Sequence, residues 1–167
     1  MTMFLQIAVS VIFFTNKTLV LADKKSGWLV GVVAATLATF YFFRIELYIY
    51  TVLELGLIVL MGYGFLWAGQ KKPLTEMVIN WTTAIAMLVM TIFVFTGLMT
   101  AVEFGSSVAL LLGTYFLTHN QISWGWSLYA LAHGLAAYLG YHKDQQIFAD
   151  FQVASGIVSL VGLLKTR

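Results

Sequence analysis

The sequence has no cysteine, a single proline and few charges: 10% of its 167 residues are Asp, Glu, Lys or Arg. Without cysteine there is no disulfide framework, no thiol nucleophile and no thiolate metal site, and the redox state of the compartment stays unread. A formal net charge of +2 is too small to argue for nucleic acid as a partner. Soluble domains carry about 25% charged residues, so this chain lacks the polar side chains needed to cover a water-facing surface. What it has instead is 60% hydrophobic residues, abundant aromatics and a mean hydropathy of +0.89. Its solvent is lipid.

A helix needs about 20 residues, at 1.5 Å rise, to cross roughly 30 Å of hydrocarbon, so the length allows about seven spans with short loops. Nearly uncharged runs fall at Met3 to Leu21, Gly27 to Phe43, Leu47 to Gly69, Met77 to Leu98, Val102 to Thr118, Ile122 to Tyr141 and Ile147 to Leu164. The expected fold is all-α and integral to the membrane, with residues 1–167 forming a single transmembrane domain. Asn16 and Lys17 interrupt the first run, but no basic segment precedes it, and a span explains it better than a signal peptide. Lys17, Lys24, Lys25, Lys71, Lys72, Lys165 and Arg167 fall on one side of this arrangement, and Arg44 and Lys143 on the other. That asymmetry predicts an N-terminus outside and a C-terminus in the cytoplasm, in the cell (inner) membrane, with Lys17 snorkelling to the nearer interface.

Sliding the second half against the first gives a register of 98. It pairs Gly27-Trp28 with Gly125-Trp126, Gly64 with Gly162, Arg44 with His142, Glu46 with Asp144 and Glu54 with Gln152. Two parallel three-helix repeats, residues 1–70 and 102–167, are therefore expected on either side of a linker helix at 75–98, a 3+1+3 plan in which the site lies between the halves.

With Trp28 opening a helix, Glu46-Leu47-Tyr48 at an outer turn, Glu54 within the next helix and Tyr63-Gly64-Phe65-Leu66-Trp67 ending it, Ser26 to Trp67 resembles the second and third helices of the PnuC family of vitamin transporters. Ile122 to Leu164, with Trp126 near its start, is similar to that family's last two helices. Glu54 stands where the family commonly has Gln, His133 where it commonly has Asp or Asn, and the link between spans four and five is short and lacks proline. The resemblance implies a seven-helix transporter, related in architecture to the SWEET sugar transporters and often trimeric. It implies facilitated diffusion of a water-soluble vitamin precursor, nicotinamide riboside first and thiamine or another B vitamin next.

The polar residues support their own reading. A carboxylate at mid-membrane costs about 3 kcal/mol on insertion scales, so Glu54 asks for a reason. Tyr50, Leu57 and Met61 share its helical face, and a carboxylate beside an aromatic ring suits a cationic ring. Gln145, Phe148, Gln152, Ser155 and Ser159 make a polar stripe on the last span, and Trp126, Tyr129, Ala130, His133, Ala137 and Gly140 share a face of the sixth. The expected substrate-binding set is Glu54, Tyr50, Trp126, Tyr129, His133, Gln152 and Asn80. For each of these the alternative is packing: interhelical hydrogen bonds or an interfacial aromatic belt. Glu103 is ambiguous, and marking an outer loop is one role for it. Asp150 is assigned to the interface, and His119 and His142 to solvated loops. No His cluster at ligand spacing, phosphate-binding loop or nucleophile elbow is present, so neither a metal, a cofactor nor an enzyme is expected. Two classes remain open: a solute transporter, and a non-transporting assembly subunit whose polar residues hold helices together.

Overall fold

The computed structural model describes residues 2–44, 47–67, 73–95 and 101–166. Seven helices account for nearly all of them: α1 (Thr2–Leu21), α2 (Ser26–Arg44), α3 (Tyr48–Trp67), α4 (Pro73–Phe95), α5 (Ala101–Thr118), α6 (Ile122–His142) and α7 (Gln146–Lys165). All but α6 are long and apolar enough to cross a membrane. At 21 residues α6 has the length, but its Ser, His and Gly residues lower its hydropathy. Large apolar side chains cover the outside, with Phe4, Phe40, Phe43, Trp81, Trp124 and Leu164 each more than 60% exposed. In water such a surface would aggregate, whereas lipid solvates it.

The helix boundaries have local causes. Pro73 opens α4 at the first helical position, where its missing N–H costs nothing, so this helix begins ahead of the expected Met77. Asn16 and Lys17 do not break α1. Asp23, Asn120 and Asp144 follow α1, α5 and α6 in the left-handed region, at φ 55°, 61° and 55°. Each turn closes with paired bonds back to the helix: Lys24 N–H to Leu19 O (2.9 Å), Gln121 N–H to Phe116 O (2.8 Å) and Gln145 N–H to Gly140 O (2.8 Å). These are Schellman endings in which Asp and Asn take the place usual for glycine, and they let each helix fold straight back on its predecessor.

The packing order around the molecule is α1–α2–α3–α5–α6–α7 and back to α1, while α4 lies outside against α3 and α5. Close approach depends on small residues: Ala34, Ala35 and Ala38 on α2 and Ala132, Ala136 and Gly140 on α6 are buried. Gly64 lies under the Trp28 ring and Gly162 under the Trp126 ring, and a Cβ added to either glycine would overlap the indole.

Candidate functional site

Six helices surround one central cavity, and the polar side chains of the interior gather there. Lys17 from α1, Glu54 and Tyr50 from α3, Ser106 from α5, His133 from α6, and Gln152 and Ser155 from α7 line it. Glu54 and Lys17 are each 2% exposed and His133 5%. The periodicity that placed Tyr50, Glu54, Leu57 and Met61 on one face of α3 is realised, since all four line the cavity.

The hydrogen bonds leave this cluster partly unsatisfied. His133 Nδ1 and Gln152 Oε1 are 2.6 Å apart, with the ring nitrogen donating, and this fixes the imidazole across α6 and α7. His133 Nε2 and Glu54 Oε2 have no partner among the described residues. The Tyr50 hydroxyl lies near Ser106 without a well-formed hydrogen bond, and the Ser106 hydroxyl donates to the Ala132 carbonyl at 3.1 Å. Buried polar atoms without partners are costly, roughly 1–3 kcal/mol each, and all three belong to residues that line this one space.

Lys17 departs most from expectation. It does not snorkel. Its Nζ sits 3.2 Å over the centre of the Tyr129 ring and closes no ion pair with Glu54, although both side chains line the cavity. Tyr129 is in turn anchored by a 2.8 Å hydrogen bond to Thr114 Oγ1. The ring is therefore a fixed platform, and the ammonium covers it.

Of the expected site residues, Glu54, Tyr50, His133 and Gln152 meet in the cavity. The structure places the other three elsewhere. Tyr129 lies behind Lys17 instead of forming a free wall. Trp126 packs edge-to-face on Tyr129 (5.8 Å, 81°) and over Gly162, and it lines a separate vestibule of about 380 Å³ with Trp28, Asp23, Lys24 and Lys25. Asn80 belongs to α4, outside the ring of six helices, where it is exposed and accepts a hydrogen bond from the Tyr115 hydroxyl at 2.9 Å. The polar stripe of α7 is real in part: Phe148, Gln152 and Ser155 reach the cavity, while Ser159 is buried and donates to its own helix at Ser155 O.

The two ends of the cavity differ. Toward the α6–α7 turn, Phe42 stacks on Tyr50 (5.0 Å) and meets Phe148 edge-on (6.1 Å). Beyond that aromatic plug Lys143 pairs with Glu103, a residue of the first turn of α5 that is buried and not part of a loop. Toward the opposite end lies the vestibule bearing Lys24 and Lys25. The histidines assigned to loops also settle differently. His119 is half-buried, with its ring stacked on Tyr115 (4.2 Å) and Tyr63 (6.0 Å), while His142 is exposed and ends α6. Asp150 is exposed and accepts from the Tyr141 hydroxyl at 2.7 Å. Among the described residues no group of His, Asp and Glu is arranged to hold a metal ion.

The open space in the cavity is about 40 Å³. That is room for a few waters, at roughly 10–15 Å³ of open space each, and not for a vitamin. Entry of a larger solute requires the helices to part or Lys17 to withdraw. No family model matches the sequence, and no curated protein or solved structure matches it.

Proposed function

We propose that this chain is a membrane transporter of the PnuC kind, moving a small water-soluble vitamin precursor by facilitated diffusion through the space between its two halves. Nicotinamide riboside is the favoured solute and thiamine the next. The observation that carries the reading is that Tyr50, Glu54 and His133, each with a buried polar atom lacking a partner among the described residues, line one central cavity. Interior charge of this kind is expensive in lipid and is tolerated where it serves a polar pathway.

The 3+1+3 plan belongs to the same proposal, with α1–α3 and α5–α7 as parallel repeats and α4 as the linker that carries the chain back across the membrane. It is supported by the pairing of Trp28 with Gly64 and of Trp126 with Gly162, each 98 positions on, and by the equivalent turn bonds of Leu47 to Phe42 and Gln145 to Gly140. With Lys17 removed from the count, Lys24, Lys25 and Lys165 still share one side, which supports a cytoplasmic C-terminus and an outside N-terminus. Single cysteines at the two termini of this cysteine-free chain should label from outside and inside respectively. Labelling of both from one side removes the 3+1+3 plan.

The assembly-subunit reading draws on the His133–Gln152 bond and the Lys143–Glu103 pair, both of which join helices. A ligand that binds the folded state alone raises its apparent stability, by about 2.7 kcal/mol at 100 times its dissociation constant. Thermal unfolding in detergent against nicotinamide riboside, thiamine, riboflavin and free nucleosides separates the two. Stabilisation by nicotinamide riboside ahead of the others is the expected result, and a flat response to the whole panel favours the assembly subunit.

A further inference from the structure

Lys17 lies one helical turn from the end of α1, near enough to an interface for its long side chain to reach water. It turns inward instead, and is buried with its ammonium on the Tyr129 ring. Lys17 lines the cavity, whereas the ring beneath it does not. Glu54 lines the same cavity with one carboxylate oxygen unbonded. A carboxylate and an aromatic face converging on one space make a receptor for an organic cation. Here the chain's own amino group covers the ring, and the roughly 40 Å³ left open is too little for a vitamin-sized cation.

We propose that Lys17 is a tethered cation that occupies the Glu54–Tyr129 subsite when the site is empty, and that an organic cation enters by exchanging with it. The proposal rests on the solute-site reading above and adds the class of ligand and the route of entry. Where Glu54 is ionised, exchange keeps a positive charge near it at every stage, which lowers the cost of holding a carboxylate in a low-dielectric interior. It also discriminates: a neutral solute cannot supply the positive charge that Lys17 would take with it on leaving, so it must share the space with Lys17.

The absence of cysteine makes the test direct. In a Lys17→Cys variant of the full chain in lipid nanodiscs, 2-aminoethyl methanethiosulfonate restores an ammonium on a chain of similar length, and methyl methanethiosulfonate leaves a neutral one. The probes are 1-methylnicotinamide, a cationic ring, and nicotinamide, its neutral counterpart. The methyl form should bind 1-methylnicotinamide at least tenfold more tightly than the aminoethyl form, with nicotinamide unchanged within twofold, and thiol reductant should abolish the difference. Wild-type protein gives a second readout without substitution: 1-methylnicotinamide should speed acetylation of Lys17 by acetic anhydride severalfold, and nicotinamide should not. Binding that ignores the tethered charge, or tighter binding to the ammonium form, overturns the exchange while leaving a solute site. An acetylation rate unchanged or slowed by the bound cation overturns the exchange equally. Binding of neither probe to any form removes the solute-site reading and this proposal with it.

Discussion

The helices before and after α4 match where they pack and differ where they face the cavity. Trp28 lies on Gly64 as Trp126 lies on Gly162. The turn bond from Lys24 to Leu19 recurs 97 positions later from Gln121 to Phe116, one short of the 98 that relates α2–α3 to α6–α7, because Gly125 follows Gln121 by four positions where Gly27 follows Lys24 by three. In that register Asn16 corresponds to Gly113 and Gly31 to Tyr129, and the same gap is filled from opposite sides. Gly31 makes room for the Asn16 amide, whose Nδ2 also donates to Gly27 O at 2.8 Å, and Gly113 makes room for the Tyr129 ring. Likewise Lys17 corresponds to Thr114 and Glu54 to Gln152. The charged members of the cavity thus come from the first half, and the neutral His133–Gln152 pair from the second. Shared packing gives both halves one scaffold, and the unshared residues make the two sides of the cavity chemically different.

The comparison breaks most easily at its packing. Gly64→Val and Gly162→Val should each destabilise the protein by about 1–3 kcal/mol through forced overlap with an indole, read as matching falls in the unfolding temperature. A large loss at one site with none at the other would mean that the two contacts are not equivalent. Next comes charge. Glu54→Gln should preserve folding yet weaken binding of a cationic vitamin by about 1–3 kcal/mol, the scale of a lost charge-assisted contact, with a neutral analogue nearly unaffected. Equal affinities for cation and analogue in both proteins would leave Glu54 as packing. A smaller loss, about 1 kcal/mol of stability, is expected for Gln152→Leu, which removes the partner of His133 Nδ1. No change in melting there would mean that water replaces the amide. Least affected should be Asn80→Ala, within about 0.5 kcal/mol and with solute binding intact, since Asn80 lies outside the ring of helices. A defect in binding would return α4 to the site.

The spans were legible because lipid demands runs of about 20 apolar residues, and six of the seven helices meet that demand in composition alone. The face of α3 bearing Glu54 was legible from helical spacing. The placement of Lys17 was missed because a lysine near a helix end ordinarily reaches water. A signal was nonetheless present: Gln6, Ser10, Phe13 and Lys17 fall on one face of α1, a polar stripe ending in the lysine, and the last three line the cavity. Trp126 was misplaced for the opposite reason. An aromatic at a helix start suggests a stacking wall; the 98-residue register matched Trp126 to Trp28 and Gly162 to Gly64, but only the structure shows each tryptophan lying on the matching glycine, which is packing. Asn80 could not be placed from sequence, because periodicity tells which face of α4 it shares but not that α4 stands outside the ring.

Counterflow in proteoliposomes tests the central claim most directly, because it reads passage through the protein with only the outward gradient of the unlabelled solute to drive it. Liposomes loaded with unlabelled nicotinamide riboside and carrying the wild-type chain should transiently accumulate the labelled compound. That accumulation should be strongly reduced by Glu54→Gln and preserved by Asn80→Ala. Accumulation no greater than in protein-free liposomes, or equal in all three proteins, would contradict a solute path through the Glu54 cavity.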